Sequence, residues 1–125
     1  MASPFPLDIK LLQKTRVLEI QFDNRKKFIL PCEYLRVFSP SADVKGHGQS
    51  EGKLVSGKKN VNIIDIEAVG HYAVKLVFDD GHNTGIYSWE TLYDLATHYP
   101  INWQRYLQRL EAANASRESI YTART

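Results

Sequence analysis

The sequence predicts an α+β fold in one small domain, and three observations support this class. Residues 16–31 hold two alternating apolar runs around a polar turn, which is typical of an antiparallel hairpin. Residues 61–88 hold three more short runs with glycine-containing turns between them, which predicts a three-stranded antiparallel meander. After Ser88 the apolar spacing becomes helical, so we expect two C-terminal helices packed on the sheet. A length of 125 residues suits a single core.

The first elements follow from local patterns. Residues 1–9 hold two prolines and are predicted to form an extended arm. The domain itself is predicted to span residues 10–114. The strand "RVLEIQF" places Leu18, Ile20 and Phe22 on one face. "DNRK" is a polar turn, and "KFIL" returns as the second strand of the hairpin until Pro31 ends it.

The segment "CEYLRVF" predicts one or two helical turns, because its apolar residues fall at helical spacing. Residues 39–60 then form a long polar connection with several glycines, and connections of this length are usually functional or mobile. Within it, we expect a short strand near residues 54–56.

In the meander, Gly70 and Gly81 occupy the two predicted turns, where glycine readily adopts positive φ. In the first strand one predicted face carries Ile64, Ile66 and Ala68, and the other carries Val61 and Ile63. In the second strand the residues predicted to point inward are Tyr72, Val74, Leu76 and Phe78.

The helical region has clear start signals. Ser88 is a good N-cap and Glu90 adds negative charge to the first turn, which favours a helix beginning at Trp89. Pro100 is expected to end this helix, and Asn102 to cap the next one. The second helix carries an apolar stripe, made of Trp103, Tyr106, Leu107, Leu110 and Ala113. Residues 115–125 are polar and predict a flexible tail.

Composition excludes several classes of function. The formal net charge is +2 without a clustered basic stripe, which argues against a nucleic-acid partner. No apolar run is long enough to cross a bilayer and the first residues do not resemble a signal peptide, so we expect a cytoplasmic protein without membrane attachment. Cys32 is the one cysteine, and we expect a small buried residue there. Free sheet edges allow a homodimer but do not require one.

The polar residues do not form a known catalytic motif. The sequence has no Ser-His-Asp order, no phosphate-binding loop and no His-Glu-x-x-His, so we expect no enzyme activity. His71 is expected to be exposed, and His98 to lie at a helix C-terminus. His82 follows "DDG" and suits either a turn hydrogen bond or a metal ligand.

Several segments together resemble a known family. "LPCEYLR", "FSPSA", "KLVFDDGH", "TGIYSW" and "LYDL" are similar to short bacterial proteins of unknown function that share the N-terminal domain of gamma-butyrobetaine hydroxylase. The resemblance covers roughly residues 10–112. In the hydroxylases this domain precedes a separate catalytic domain dependent on iron and 2-oxoglutarate, and a similar domain is appended to some P-loop ATPases that carry iron–sulfur clusters. The resemblance therefore implies a binding or assembly module.

In the hydroxylases, this domain binds a structural zinc through three cysteines and a histidine. In this sequence the resemblance assigns the cysteine positions to Ser39, Ser41 and Val44, and the histidine position to His82. Serine hydroxyls are poor zinc ligands and valine is none, so the resemblance implies that the thiolate site is lost.

Two alternatives follow for this loop. Hydrogen bonds and packing replace the metal, or His47 and His82 form a weaker iron or zinc site with Asp43 or Asp80. The first alternative, which implies no cofactor, leads to our main hypothesis: a non-catalytic domain that binds an unidentified protein in iron–sulfur or metallocofactor assembly. Tyr87 and Trp89 are the candidate partner-binding aromatics. The second leads to a metal-binding protein, and a third hypothesis is a part of a 2-oxoglutarate-dependent oxygenase system.

Overall fold

The first three strands form one antiparallel sheet, β1-β2-β3, in the computed structural model, which describes residues 4–40 and 53–118. The strands are β1 (Pro6–Leu12), β2 (Val17–Phe22) and β3 (Lys27–Pro31). Residues 6–9 of the predicted N-terminal arm therefore belong to strand β1, and the predicted boundary after residue 9 falls inside this strand. The reason is visible in the register, since Ile9 and Leu11 lie opposite Ile20 and Leu18 and pack against the same core.

The predicted hairpin is confirmed. Leu18, Ile20 and Phe22 are fully buried, as the alternating pattern predicts. The turn between β2 and β3 is closed partly by Arg25, whose φ of 72° lies in the left-handed region. Helix α1 (Cys32–Val37) follows directly after β3 and confirms the predicted helical turns.

The second sheet is the predicted meander, in the order β4-β5-β6. Its strands are β4 (Ile63–Val69), β5 (Ala73–Phe78) and β6 (Ile86–Ser88). The alternation predicted for β4 is interrupted, because the register shifts between Ile63 and Asp65. Ile63 is fully buried, Ile64 is 54% exposed and Ile66 packs against the core, so neither predicted face is the core face along the whole strand. A bulge of this kind changes which side chains point inward.

Two further expectations for this region are wrong. Tyr72 is 60% exposed because it lies in the turn before β5, while Val74, Leu76 and Phe78 are buried as predicted. The turn needs glycine at Gly70, where φ is +56° and a Cβ would lie 2.8 Å from the Tyr72 ring. Residues 54–56 do not form a strand.

The two predicted helices are present as α2 (Trp89–Thr97) and α3 (Tyr99–Ala112). Ser88 is the N-cap of α2, and its Oγ accepts a hydrogen bond from the Thr91 amide at 3.0 Å. Pro100 lies in the first turn of α3, where a missing amide proton has no cost. Asn102 is therefore not the N-cap, and its Nδ2 donates to the Tyr34 hydroxyl at 3.0 Å.

The C-terminal segment is docked on the body up to the last described residue. The Ser116 carbonyl accepts from the Gly57 amide and the Arg117 carbonyl accepts from the Lys59 amide, both at 2.9 Å. Residues 115–118, which belong to the predicted flexible tail, thus bond to the body through their backbone, and residues 119–125 lie outside the described part of the chain.

The hydrophobic core is shared by both sheets with helices α1 and α2. Its fully buried residues include Leu18, Ile20, Phe22, Tyr34, Leu35, Ile63, Leu76, Tyr87 and Leu92. No helix within residues 4–40 and 53–118 has both the length and the apolarity needed to cross a membrane.

Candidate functional site

The end of helix α1 meets the turn between β5 and β6 at a serine and a histidine. Ser39 follows the helix and is only 7% exposed, and His82 lies in the turn that Gly81 opens with a φ of +92°. The Ser39 Oγ and the His82 Nε2 are 2.9 Å apart, a hydrogen-bond distance. The structure thus brings together two residues 43 positions apart that the resemblance assigns to the zinc site.

This contact depends on close backbone approach at Gly85. Gly85 is buried, and an added Cβ would overlap the Ser39 Oγ and lie 3.2 Å from the Tyr87 ring. Glycine is required here by space rather than by φ. The sequence segment "TGIYSW" therefore contributes a glycine that admits the serine and a tyrosine that packs behind it.

Tyr87 is part of the core and is not a surface anchor. Its side chain is fully buried, and its hydroxyl donates to the Leu35 carbonyl at 2.6 Å. Burial raises the pKa of Tyr87, and a hydrogen bond with Ser39 offsets part of that rise. The prediction that Tyr87 binds a partner is wrong, because contact with another protein would require the core to open.

Asp80 joins three segments around the same turn. Its Oδ2 accepts from Arg36 Nε at 2.8 Å and from Lys58 Nζ at 2.6 Å, and its Oδ1 accepts from the His82 amide at 3.1 Å. Burial by itself raises the pKa of Asp80, but the bonds from Lys58, His82 and Arg36 outweigh it, and the pKa lies below its usual 3.8. Both carboxylate oxygens are thus engaged, and a metal at Asp80 would have to compete with two cations.

The other predicted ligands cannot be placed with this pair. Ser41, Asp43, Val44 and His47 lie outside the described residues. Within the part of the chain that the structure describes, no group of three or more His, Cys, Asp or Glu side chains is arranged to hold a metal ion.

Trp89 joins helix α2 to the turn before β5. Its side chain is half-buried against the core, and its Nε1 donates to the His71 carbonyl at 2.8 Å. Its backbone amide donates to the Tyr72 carbonyl at 3.0 Å. Part of the ring stays accessible, so a partner contact by Trp89 remains a prediction.

The remaining histidines and the cysteine have structural positions. His71 is exposed, as predicted, and His98 caps the C-terminus of α2 with Nδ1 2.9 Å from the Asp94 carbonyl. Cys32 is fully buried, and burial raises the pKa of its thiol. A protonated, inaccessible thiol is a poor nucleophile and a poor ligand, which fits the expected packing role.

A second ion pair, which no sequence pattern predicted, joins helix α1 to the C-terminal segment. Glu33, only 5% exposed, accepts from Arg117 Nε at 2.9 Å and from Arg117 Nη2 at 2.7 Å. The Arg117 guanidinium carbon lies 5.4 Å from the centre of the Trp103 ring. The hydrogen bond to Glu33 raises the pKa of Arg117. The two partners are 84 residues apart, so local patterns could not have paired them.

A surface cleft of about 820 Å³ lies between the Asp79–Asp80 turn and the C-terminal segment. Its walls come from residues 56–58 and 60–61, from the Asp79–Asp80 turn and from the C-terminal segment, including Ser116 and Glu118. The cleft therefore borders both the Asp80 ion pairs and the segment that carries Arg117.

Comparison with known proteins identifies the family of the chain. The family model described as gamma-butyrobetaine hydroxylase-like, N-terminal, matches residues 9–93. None of the curated proteins matches the chain significantly.

Three solved structures are similar over most of the chain. Two are solution NMR structures: one is 57% identical and covers 94% of this chain and 87% of its own, with a TM-score of 0.81. The other is 41% identical, and the match covers 94% of this chain and 92% of that one, with a TM-score of 0.82. The third is the crystal structure of a protein of unknown function in the DUF971 family from Acidithiobacillus ferrooxidans ATCC 23270. It is 41% identical, and the match covers 73% of this chain and 91% of that one, with a TM-score of 0.62. With a family model that spans more than half of its length, the chain belongs to the gamma-butyrobetaine hydroxylase-like N-terminal domain family.

Proposed function

We propose that this chain is a non-catalytic, cytoplasmic protein-binding domain that acts in iron–sulfur or other metallocofactor assembly. The observation that carries the protein-binding part is a group of neighbouring apolar side chains on the outer face of the first sheet. The assignment to cofactor assembly is supported by the family's occurrence beside iron–sulfur ATPases, and is an analogy of domain context.

The strand register defines this outer face. Leu12 lies opposite Val17, and Val17 lies opposite Pro31, so the three form one row across the sheet. Ile29 is two residues from Pro31 on the same strand and therefore shares its face. Leu12 is 39% exposed and Ile29, in the next row, is 55% exposed, so this face is accessible in both rows. We call these four residues the outer patch.

The outer patch has the character of a small contact site. Glu19 lies between Lys10 and Ile29 in the next row, so charged side chains border the apolar ones. Apolar residues at the centre with a charged rim are the usual composition of a protein interface. Contiguity is what makes the group informative, because apolar side chains exposed singly are common on any protein.

The Ser39–His82 contact supports the accessory role over the metal-binding alternative. A hydroxyl and an imidazole that bond each other satisfy their polar atoms without a metal. Metal analysis of untagged protein separates the alternatives. We expect no stoichiometric iron or zinc, and a stoichiometric metal that is lost in His82→Ala would favour the metal-binding protein instead.

A comparison of two matched variants tests the outer patch. Ile29→Lys places a charge at a patch residue that is more exposed than Leu12, and Ile64→Lys places the same charge on the second sheet at nearly equal exposure, 54% against 55%. In pull-downs from the native cell extract, we expect a partner captured by the wild type and by Ile64→Lys but lost from Ile29→Lys. Iron and acid-labile sulfide measured in the captured complex then test the assembly role.

Two outcomes would contradict the proposal. Equal capture by all three proteins would remove the outer patch from the interface. A captured partner without a metallocofactor, or any role in building one, would leave a binding domain but refute the assignment to cofactor assembly.

A further inference from the structure

Helix α3 ends in a motif that turns the chain back onto the body. The Asn114 amide donates to the Glu111 carbonyl at 3.1 Å, and the Ala115 amide donates to the Leu110 carbonyl at 2.9 Å. Asn114 has a φ of 56°, the left-handed conformation that asparagine tolerates better than most residues. These bonds form a Schellman motif, and they direct residues 115–118, which we call the C-terminal arm, across the segment 57–59.

The arm inserts one side chain, that of Arg117, into a pocket formed by Glu33 and Trp103. The two hydrogen bonds to Glu33 use the Nε and Nη2 of the guanidinium, and the guanidinium carbon lies 5.4 Å from the centre of the Trp103 ring. A lysine ammonium is a single point charge and cannot reproduce this two-point contact. The pocket is therefore built for a guanidinium group in particular.

The rest of the arm is held weakly. Lys59 and Glu118 form an ion pair at 2.9 Å, but their side chains are 44% and 57% exposed, and pairs of this kind contribute little. Beyond this pair, the backbone bonds at Gly57 and Lys59 attach the arm to the body. One side of the arm forms a wall of the open cleft of about 820 Å³, so another segment could approach along the same path.

The buried carboxylate makes simple opening of the arm unfavourable. Withdrawal of Arg117 would leave the charge of Glu33, a side chain only 5% exposed, without a partner. An unpaired buried charge is strongly destabilising, whereas replacement of one guanidinium by another keeps the pair intact. Exchange of occupants is therefore favoured over an empty pocket.

We propose that the Glu33–Trp103 pocket is an arginine-recognition site, which the C-terminal arm fills and which an extended, arginine-bearing segment of a partner protein fills when it displaces the arm. This inference rests on the protein-binding role proposed above and names the chemistry of the partner. The cleft beside the arm provides the path for the residues that flank the incoming arginine.

The experiment uses the arm's own sequence as the probe. A fluorescently labelled peptide, Ala-Asn-Ala-Ser-Arg-Glu, is titrated against the full chain carrying Arg117→Ala, with anisotropy as the readout. We expect this variant to bind the peptide at least tenfold more tightly than the wild type, because a tethered arm competes at an effective concentration on the order of mM. A peptide with lysine in place of arginine should bind at least tenfold more weakly.

Glu33→Gln added to Arg117→Ala is the matched control, since it keeps the shape of the side chain and removes its charge. We expect it to abolish peptide binding. Binding that is unchanged by Glu33→Gln, or that is equal for the arginine and lysine peptides, would overturn the proposal. Absence of any binding to a folded Arg117→Ala variant would overturn it as well.

A second measurement covers the case in which Arg117→Ala does not fold. In the ¹⁵N-labelled wild-type chain, the Arg117 Nε–H signal reports the bond to Glu33, and millimolar peptide should shift it toward the position of a solvated arginine. A signal that stays fixed would refute exchange. Neither measurement involves the outer patch, so failure here leaves the proposed outer patch standing. Equal capture of a partner by the wild type, Ile29→Lys and Ile64→Lys would remove the outer patch but leave the arginine site standing.

Discussion

At the scale of single residues, the contact between Ser39 and His82 depends on one glycine. Gly85 leaves just enough room for the Ser39 hydroxyl to reach His82, and Tyr87 closes the space from the other side. The resemblance identified Ser39 and His82 as paired positions, but no sequence pattern indicated that Gly85 sets their distance. Close approach of three segments is a property of packing, which a single sequence does not reveal.

Gly85→Ala should therefore separate Ser39 from His82. The added methyl group would overlap the Ser39 Oγ, and we expect a loss of about 1–3 kcal/mol in the free energy of unfolding, as in other overpacked cores. Urea unfolding measures the loss, and a changed His82 imidazole signal in NMR would report the broken contact.

The control is the double variant Ser39→Ala, Gly85→Ala, which removes the overlapping oxygen. Its loss should be smaller than the sum of the two single losses, because residues in contact couple. Strict additivity would mean that Ser39 is not what Gly85 accommodates.

At the scale of elements, local rules predicted where most strands and helices form. They did not predict in every case which side chains of an element face the core or where it begins. The N-cap at Ser88 and the turns at Gly70 and Gly81 are local features, and all three predictions are confirmed. The bulge in β4 was missed because its apolar residues fit either face, and pairing with β5 decides between them. Pro100 predicted the end of a helix but lies in the first turn of α3, since proline suits both positions.

Ser88→Ala should weaken the junction between β6 and α2. The Ser88 Oγ satisfies the Thr91 amide, one of the unpaired amides of the first helical turn. We expect a loss of about 1 kcal/mol in the free energy of unfolding, measured by urea denaturation. The matched control is Ser56→Ala, at an exposed serine outside any helix, which should change stability by less than about 0.5 kcal/mol. Equal effects of the two substitutions would exclude a specific capping contribution.

At the scale of the whole molecule, Asp80 ties distant segments into one body. Its partners Arg36 and Lys58 lie 44 and 22 positions before it in the sequence. The two ion pairs therefore connect α1, the long connection and the β5–β6 turn. With a folded-state pKa below 3.8, its contribution to stability is present above pH 3.8 and is lost as the pH falls through the folded-state pKa.

Asp80→Asn should therefore lower stability at pH 7 and matter less in acid. We expect a loss of about 1–3 kcal/mol at neutral pH, because the hydrogen bonds are charge-assisted and the Asp80 side chain is only 19% exposed. The difference from the wild type should shrink as the pH falls well below 3.8. Urea unfolding at several pH values measures both.

Glu67→Gln provides the control for a surface ion pair. Glu67 pairs with Lys75 at 3.2 Å but is 48% exposed, so its loss should cost only about 0–1 kcal/mol. If the two substitutions cost the same at pH 7, or if the Asp80→Asn difference does not depend on pH, the proposed role of Asp80 is wrong.

The sequence by itself determined the class of the fold, the hairpin, the meander, both C-terminal helices and the family. These depend on periodicity, turn residues and motifs, which act within a few neighbouring residues and can be recognised in the chain alone. Only the tertiary structure decided that Tyr87 is buried, that β1 completes the first sheet, and that Arg117 reaches Glu33. Each of these outcomes depends on which distant segments share one core, because burial and charge pairing are set by contacts between segments and not by the pattern within any one of them.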